Sequence, residues 1–184
     1  MKIDFAADRL DVPAFALAAA TLESHDALRL FPRLMEEIAD AQSAHTVDWV
    51  AVGEEIQHVG RPAQKWLHLK VDALLPLTCQ RCLGPVDVPM EIERSFRFVE
   101  TEEAAVAEDD AVEEDLLVTQ RDFQLRELIE DELLMALPAV PQHEVCPVEV
   151  PMSVQDADFE EAEAGKPNPF AALATLKLAK DGKG

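Results

Sequence analysis

Four residues of this chain have the types and spacing to hold a metal ion. Cys79-Gln80-Arg81-Cys82 is a Cys-x-x-Cys pair, and His143-Glu144-Val145-Cys146 repeats that spacing with a histidine in the first position. All three cysteines fall in these two short segments. Thiolates and imidazole nitrogens suit tetrahedral zinc, and the two-residue gap lets both members of a pair face one ion. Cys79, Cys82, His143 and Cys146 together make a Cys3His set if the chain after Pro138 returns to the first pair. Two other readings of the same residues stand beside zinc. Cys79 and Cys82 can line a tight turn as small, partly buried hydrophobes. They can also form a redox pair, although a thioredoxin-like pair opens a helix in an α/β setting. Here the pair follows a strand pattern and precedes a turn.

The rest of the chemistry is sparse. Arg81 can project from the turn to touch a phosphate or a local acid. The neighbouring bases Arg61, Lys65, Lys70, Arg94 and Arg97 are scattered over the middle of the chain and read as solvated. Trp49 and Trp66 read as core aromatics, since neither sits in an aromatic-basic cluster of the kind that stacks bases. No Gly-rich phosphate loop is present, Ser24, Ser43, Ser95 and Ser153 have no nucleophile setting, and the carboxylates come in runs. Neither an enzyme nor a small-molecule substrate is expected.

Charge narrows the partners. With 37 acids against 16 bases the net charge is -21. That excess opposes nonspecific nucleic-acid binding, which depends on neutralising phosphates. It also opposes an anionic membrane surface. It favours a basic protein partner, or simply solubility. No run reaches the roughly 18 apolar residues of a membrane span. The short run Val12 to Ala20 is preceded by Asp4, Asp8 and Asp11, where a secretory signal needs bases. Three cysteines suit a reducing compartment better than a disulfide scaffold. The expectation is a cytoplasmic protein.

The elements that must position the cysteines are read from period. Leu67, Leu69, Val71, Ala73, Leu75 and Leu77 alternate with polar residues and run straight into Cys79. Gly84-Pro85 turns the chain, and Val86, Val88, Met90, Ile92, Phe96 and Phe98 continue the alternation. A hairpin with a thiol tip follows, with Pro89 implying an edge position or a bulge. Val47, Trp49 and Ala51 predict another strand, Ile3 and Phe5 a short first one, and Leu116 to Val118 a short returning one. Ala14 to Ala20 predicts a helical turn or two. Pro32 to about Ser43 reads as a helix on the spacing of Leu34, Met35, Ile38 and Ala41. Asp122 is placed to cap a helix that buries Leu125, Leu128, Ile129, Leu133, Ala136 and Leu137, turns Glu127, Glu130 and Asp131 outward, and stops at Pro138 and Pro141. Glu100 to Asp115 is dense in acid and is expected to be a mobile loop. The expected fold is α+β over 1–150. Its antiparallel sheet either curls into a small barrel or packs on two or three helices. An acidic linker and a short C-terminal helix complete 151–184.

At Cys79-Gln80-Arg81-Cys82-Leu83 the chain resembles the bacterial family that includes the large ribosomal RNA subunit accumulation protein YceD. The likeness extends to Asp115-Leu116-Leu117, to the helix and its exit from Glu130 to Pro141 with His143 and Cys146 beyond, and to the tail Lys166-Pro167-Asn168-Pro169-Phe170-Ala171-Ala172-Leu173. It covers most of the chain from Leu67 onward. The resemblance implies a non-enzymatic role in 23S rRNA accumulation and large ribosomal subunit assembly, with ribosomal RNA or a large-subunit ribosomal protein as partner. Cys79, Arg81, Cys82, Cys146, Asn168, Pro169 and Phe170 match the family's motifs. Of these, Arg81, Asn168, Pro169 and Phe170 are the expected interaction residues. Zinc rests on the residues alone. Two routes fit the charge: capture of a basic ribosomal protein by the acidic stretch, or recognition of a folded rRNA element by the hairpin tip. A third reading is a zinc-stabilised structural module.

Overall fold

The computed structural model describes residues 4–39, 44–109, 111–149 and 170. The chain divides into two compact units, Met1–Val148 and Glu149–Gly184. The account below concerns the first. Of the second, only Glu149 and Phe170 are described, so the expected helix after Phe170 and the residues Asn168 and Pro169 lie outside the described residues.

Period-2 patterning builds the centre of the fold. Strands β2 (Thr46–Ile56), β3 (Gln64–Thr78) and β4 (Pro85–Val99) form where the alternation is longest. Their register stacks Trp49, Val71 and Ile92 across the three strands on one face. On the other face Val50, Lys70 and Glu93 line up. A one-residue slip would exchange these two sets, so the hydrophobic pattern pins the register. Onto the apolar face pack α1 (Val12–Leu17) through Phe15 and α3 (Leu125–Ala136) through Leu125, Ile129 and Leu133. α1 comes very close to β2 at Gly53, where an added Cβ would lie 2.7 Å from both the ring and the carbonyl oxygen of Phe15. Among the described residues no helix is long and apolar enough to cross a membrane.

The sheet order is β1-β2-β3-β4-β5, with β1 at Thr21–Ala27 and β5 at Asp115–Val118. The first four strands are antiparallel, while β5 runs parallel to β4. The α+β class with a largely antiparallel sheet and three helices is therefore present, but the barrel is not: β1 and β5 remain edges and the sheet is open. β5 reaches only Phe96–Val99 of β4, so Pro89 lies on a stretch of β4 that pairs with β3 alone, an edge position of the kind proline tolerates.

Several local expectations are corrected. Asp4 to Ala6 form no strand; Phe5 instead packs edge-on against Phe15 at a centroid distance of 5.1 Å, and Ile3 lies outside the described residues. The expected helix from Pro32 is one short 3-10 turn, Leu34–Glu36, because Leu34 and Ile38 plug the core from a loop. Glu130 is not turned outward but buried beneath that loop. It accepts hydrogen bonds from the backbone N–H groups of Arg33 at 2.6 Å and Leu34 at 3.0 Å. Asp122 does not cap α3; it pairs with Arg9, and the N-cap residue is Gln124, which makes no side-chain cap bond. The acidic stretch is not a loop throughout, since Glu102–Asp109 forms helix α2. Thr101 accepts from Ala104 N at 3.2 Å, and Glu102 and Glu103 lie where the helix dipole favours anions. Trp66 is only half-buried and stacks on His68, whereas Trp49 does enter the core.

Candidate metal centre

The turn between β3 and β4 carries the first ligand pair. Gly84 O accepts from Cys79 N at 2.8 Å, and Cys79 O accepts from Leu83 N at 2.8 Å. These two bonds fold residues 79–84 into a compact loop that sets the Cys79 and Cys82 side chains on the same side. The loop closes only because Leu83 takes a left-handed conformation, φ 59°, which is uncommon for a residue other than glycine. The second pair arrives from α3. That helix ends at Leu137, and Pro138 and Pro141 prevent its continuation. The chain then crosses the hairpin tip. Pro141 O accepts from Gln80 N at 2.8 Å, and Gln142 Oε1 accepts from Arg81 Nη2 at 3.1 Å.

These contacts bring the four candidate ligands together. The Sγ atoms of Cys79 and Cys146 are 4.0 Å apart, and Cys82 Sγ is 3.4 Å from His143 Nδ1. All four ligand atoms lie within 4.8 Å of one another. With Zn–S bonds of about 2.3 Å and Zn–N bonds of about 2.0 Å, the edges of a tetrahedral site are about 3.8 Å for sulfur to sulfur and about 3.5 Å for sulfur to nitrogen. These two separations sit at those edges. A disulfide requires about 2.05 Å, so the sulfurs are arranged as separate ligands and all three cysteines are free.

The electrostatics fit the same chemistry. Burial pushes the Cys79 thiol up. Hydrogen bonds from the backbone of Cys82, His143 and Arg81, with the His143 ring, outweigh it and hold the thiol down at about 5. Cys146 is shifted the other way, first by its own burial and then by the neighbouring Cys82 and Cys79. One thiolate is thus ready-made and the next is opposed by it, a balance that a divalent cation reverses. Cys79 is fully buried, while Cys82, His143 and Cys146 are half-buried. Spacing picks out the two pairs and period the hairpin that carries the first, but nothing in the sequence shows the two pairs meeting. The left-handed Leu83 and the backbone bond from Gln80 to Pro141 carry no sequence signal. Of the expected interaction residues, Arg81 lies exposed at the hairpin tip and Phe170 is exposed in the second unit.

An open five-stranded sheet whose longest hairpin presents two thiols to a returning loop defines a small α+β module that carries a Cys3His cluster at its hairpin tip. The family model described as "Large ribosomal RNA subunit accumulation protein YceD" matches residues 67–177, which takes in the hairpin, α3 and both ligand pairs. The chain belongs to that family. The Large ribosomal RNA subunit accumulation protein YceD of Haemophilus influenzae is 40% identical over 113 residues, an alignment covering 59% of this chain and 63% of that protein. The chain thus spans a little under two thirds of that relative's length. No solved structure matches the chain.

Proposed function

We propose that this chain is a non-enzymatic factor in 23S rRNA accumulation and large ribosomal subunit assembly, and that it works by holding a basic large-subunit ribosomal protein. Family membership supports the first half. The second half rests on where the cations are. Arg33 bonds Glu130 and Asp131, Arg94 reaches Asp115 and Glu132, Arg97 bridges Glu108 and Glu114, and Arg126 reaches Asp8 and Asp26. These four arginines are paired with carboxylates within the fold, so their charge is not free to meet phosphates. The acids remain in excess by 21 charges, and α2 offers Glu102 and Glu103 on a helix with no buried residue. A polyanionic face of this kind complements a basic protein before that protein meets its RNA. Direct rRNA contact is the second reading, favoured by Arg81 at the hairpin tip. The free thiols suit a cytoplasmic location.

Two measurements test this. Loss of the chain from its own cell lowers 23S rRNA relative to small-subunit rRNA, and an unchanged ratio defeats the assembly role. Capture on the tagged chain recovers a ribosomal protein that stays bound after RNase and leaves as salt rises. Recovery of rRNA alone, lost on RNase treatment, transfers the argument to RNA.

A further inference from the structure

We propose that Cys79, Cys82, His143 and Cys146 bind one Zn2+ ion that clasps the β3–β4 turn to the chain leaving α3. Ligand geometry is the first ground. The close sulfur-sulfur and sulfur-nitrogen separations fall at tetrahedron edges, and the set is complete at four, as structural zinc requires.

The second ground is independent of the ligands. Residues 138–149 contain no helix or strand. Val140, Val145 and Val148 are all exposed, so this segment has no apolar anchor in the core. Among the described residues its hydrogen bonds outside the cluster are those from Gln80 and Arg81 to Pro141 and Gln142. The net gain of two such bonds falls short of the conformational entropy lost in ordering so many residues. Something else must hold the segment down, and a metal linking Cys79 and Cys82 to His143 and Cys146 supplies it at the right place. The left-handed Leu83 points the same way. Strained backbone persists where its surroundings over-determine it, and here it aligns both sulfurs of the first pair. Three thiolates and one imidazole select zinc over the hard cations, which prefer oxygen. The site is independent of what the chain binds.

The full-length chain, purified under reducing conditions, is expected to carry about one Zn2+ per molecule. Replacement by Co2+ should give the visible bands of tetrahedral cobalt with thiolate charge transfer. Cys146→Ser and His143→Ala should weaken Zn2+ binding by about tenfold or more. Because those variants can lose their local fold, the decisive measurement is on the unaltered protein. Chelation should accelerate amide hydrogen exchange across 138–149 and leave β2–β4 protected. Substoichiometric zinc after reconstitution, octahedral cobalt spectra, or exchange in 138–149 indifferent to chelation would each overturn the clasp.

Discussion

Glu130 shows what a single carboxylate can hold. It is buried on α3, accepts the backbone N–H groups of Arg33 and Leu34, and bonds Arg33 Nε at 2.9 Å. Glu130→Ala strands two buried donors, so the expected loss is about 2–4 kcal/mol, read as a lower urea midpoint at unchanged slope. Glu130→Gln keeps one acceptor oxygen and should lose about half as much. Equal losses would mean that packing, not the bonds, sets the cost. The sequence hides this role because Glu130 stands beside Asp131 on a helix rich in acid, where a solvated carboxylate is the default. The cysteines are legible by contrast as a candidate site, since their types and spacing single them out, although the same pattern fits zinc, a packed turn or a redox pair. Glu132 behaves differently from Glu130. Burial raises its carboxyl above the usual range, the Arg94 charge opposes the shift, and Asp115 and Asp131 reinforce it. An acid raised on folding costs stability while ionised, and the cost disappears as pH falls through its folded value. Glu132→Gln should therefore melt higher than the unaltered protein at pH 7. The gap should close as pH falls and be gone below the unfolded carboxyl value of about 4.3. A lower melting temperature at pH 7 would show that the Arg94 pairing outweighs burial.

At the scale of elements, α2 depends on one buried cation. Arg97 on β4 is only 4% exposed and donates to Glu108 of α2 at 2.8 Å and to Glu114 at 2.7 Å. The helix itself buries nothing, so this fork is its main tie to the sheet. Arg97→Met should free α2 while the sheet persists, at a cost of about 2–3 kcal/mol from the two carboxylates left unpaired. Limited proteolysis within 102–114, with β2–β4 amides still protected, is the expected pattern, and global unfolding would show that Arg97 also supports the sheet. Glu114 lies below the usual carboxylate range: burial pushes it up, but backbone hydrogen bonding and Arg97 outweigh it. Its stabilising contribution is therefore present above the unfolded carboxyl range and lost as pH falls through the lowered folded value. The strands were legible to the extent that they alternate. β2, β3 and β4 have one apolar face and could be read, whereas β1 is an edge strand with Asp26 as its one buried residue and offers no apolar alternation to read. The three- and four-residue spacing after Pro32 was genuine, but Leu34, Met35 and Ile38 meet the core from a loop whose Arg33 and Leu34 amides are taken by Glu130. An acid-rich composition likewise concealed α2, because neither the Thr101 cap nor the Arg97 fork is visible in a local charge count.

For the whole molecule, the balance lies between short ion pairs and long-range repulsion. The pairs of Arg33, Arg94 and Arg97 span 2.6–3.5 Å, far less than the screening length of about 8 Å at 0.15 M salt. Salt weakens them only modestly. The excess of 21 negative charges repels over the full width of the fold, and at 0.01 M salt, with a screening length of about 30 Å, that repulsion is nearly undiminished. Raising salt therefore removes more of the unfavourable term than of the favourable one. The urea midpoint should rise between 0.01 M and 0.15 M NaCl, by an amount on the order of 1 kcal/mol in stability. A fall would mean that the ion pairs dominate and that the surplus acids are already compensated within the fold. A basic partner should act as salt does, but only where it touches. It should stabilise the chain most at low salt, and its affinity should decline over the range in which the free chain grows more stable. Those opposite slopes are what a surface kept acidic for a cationic partner requires.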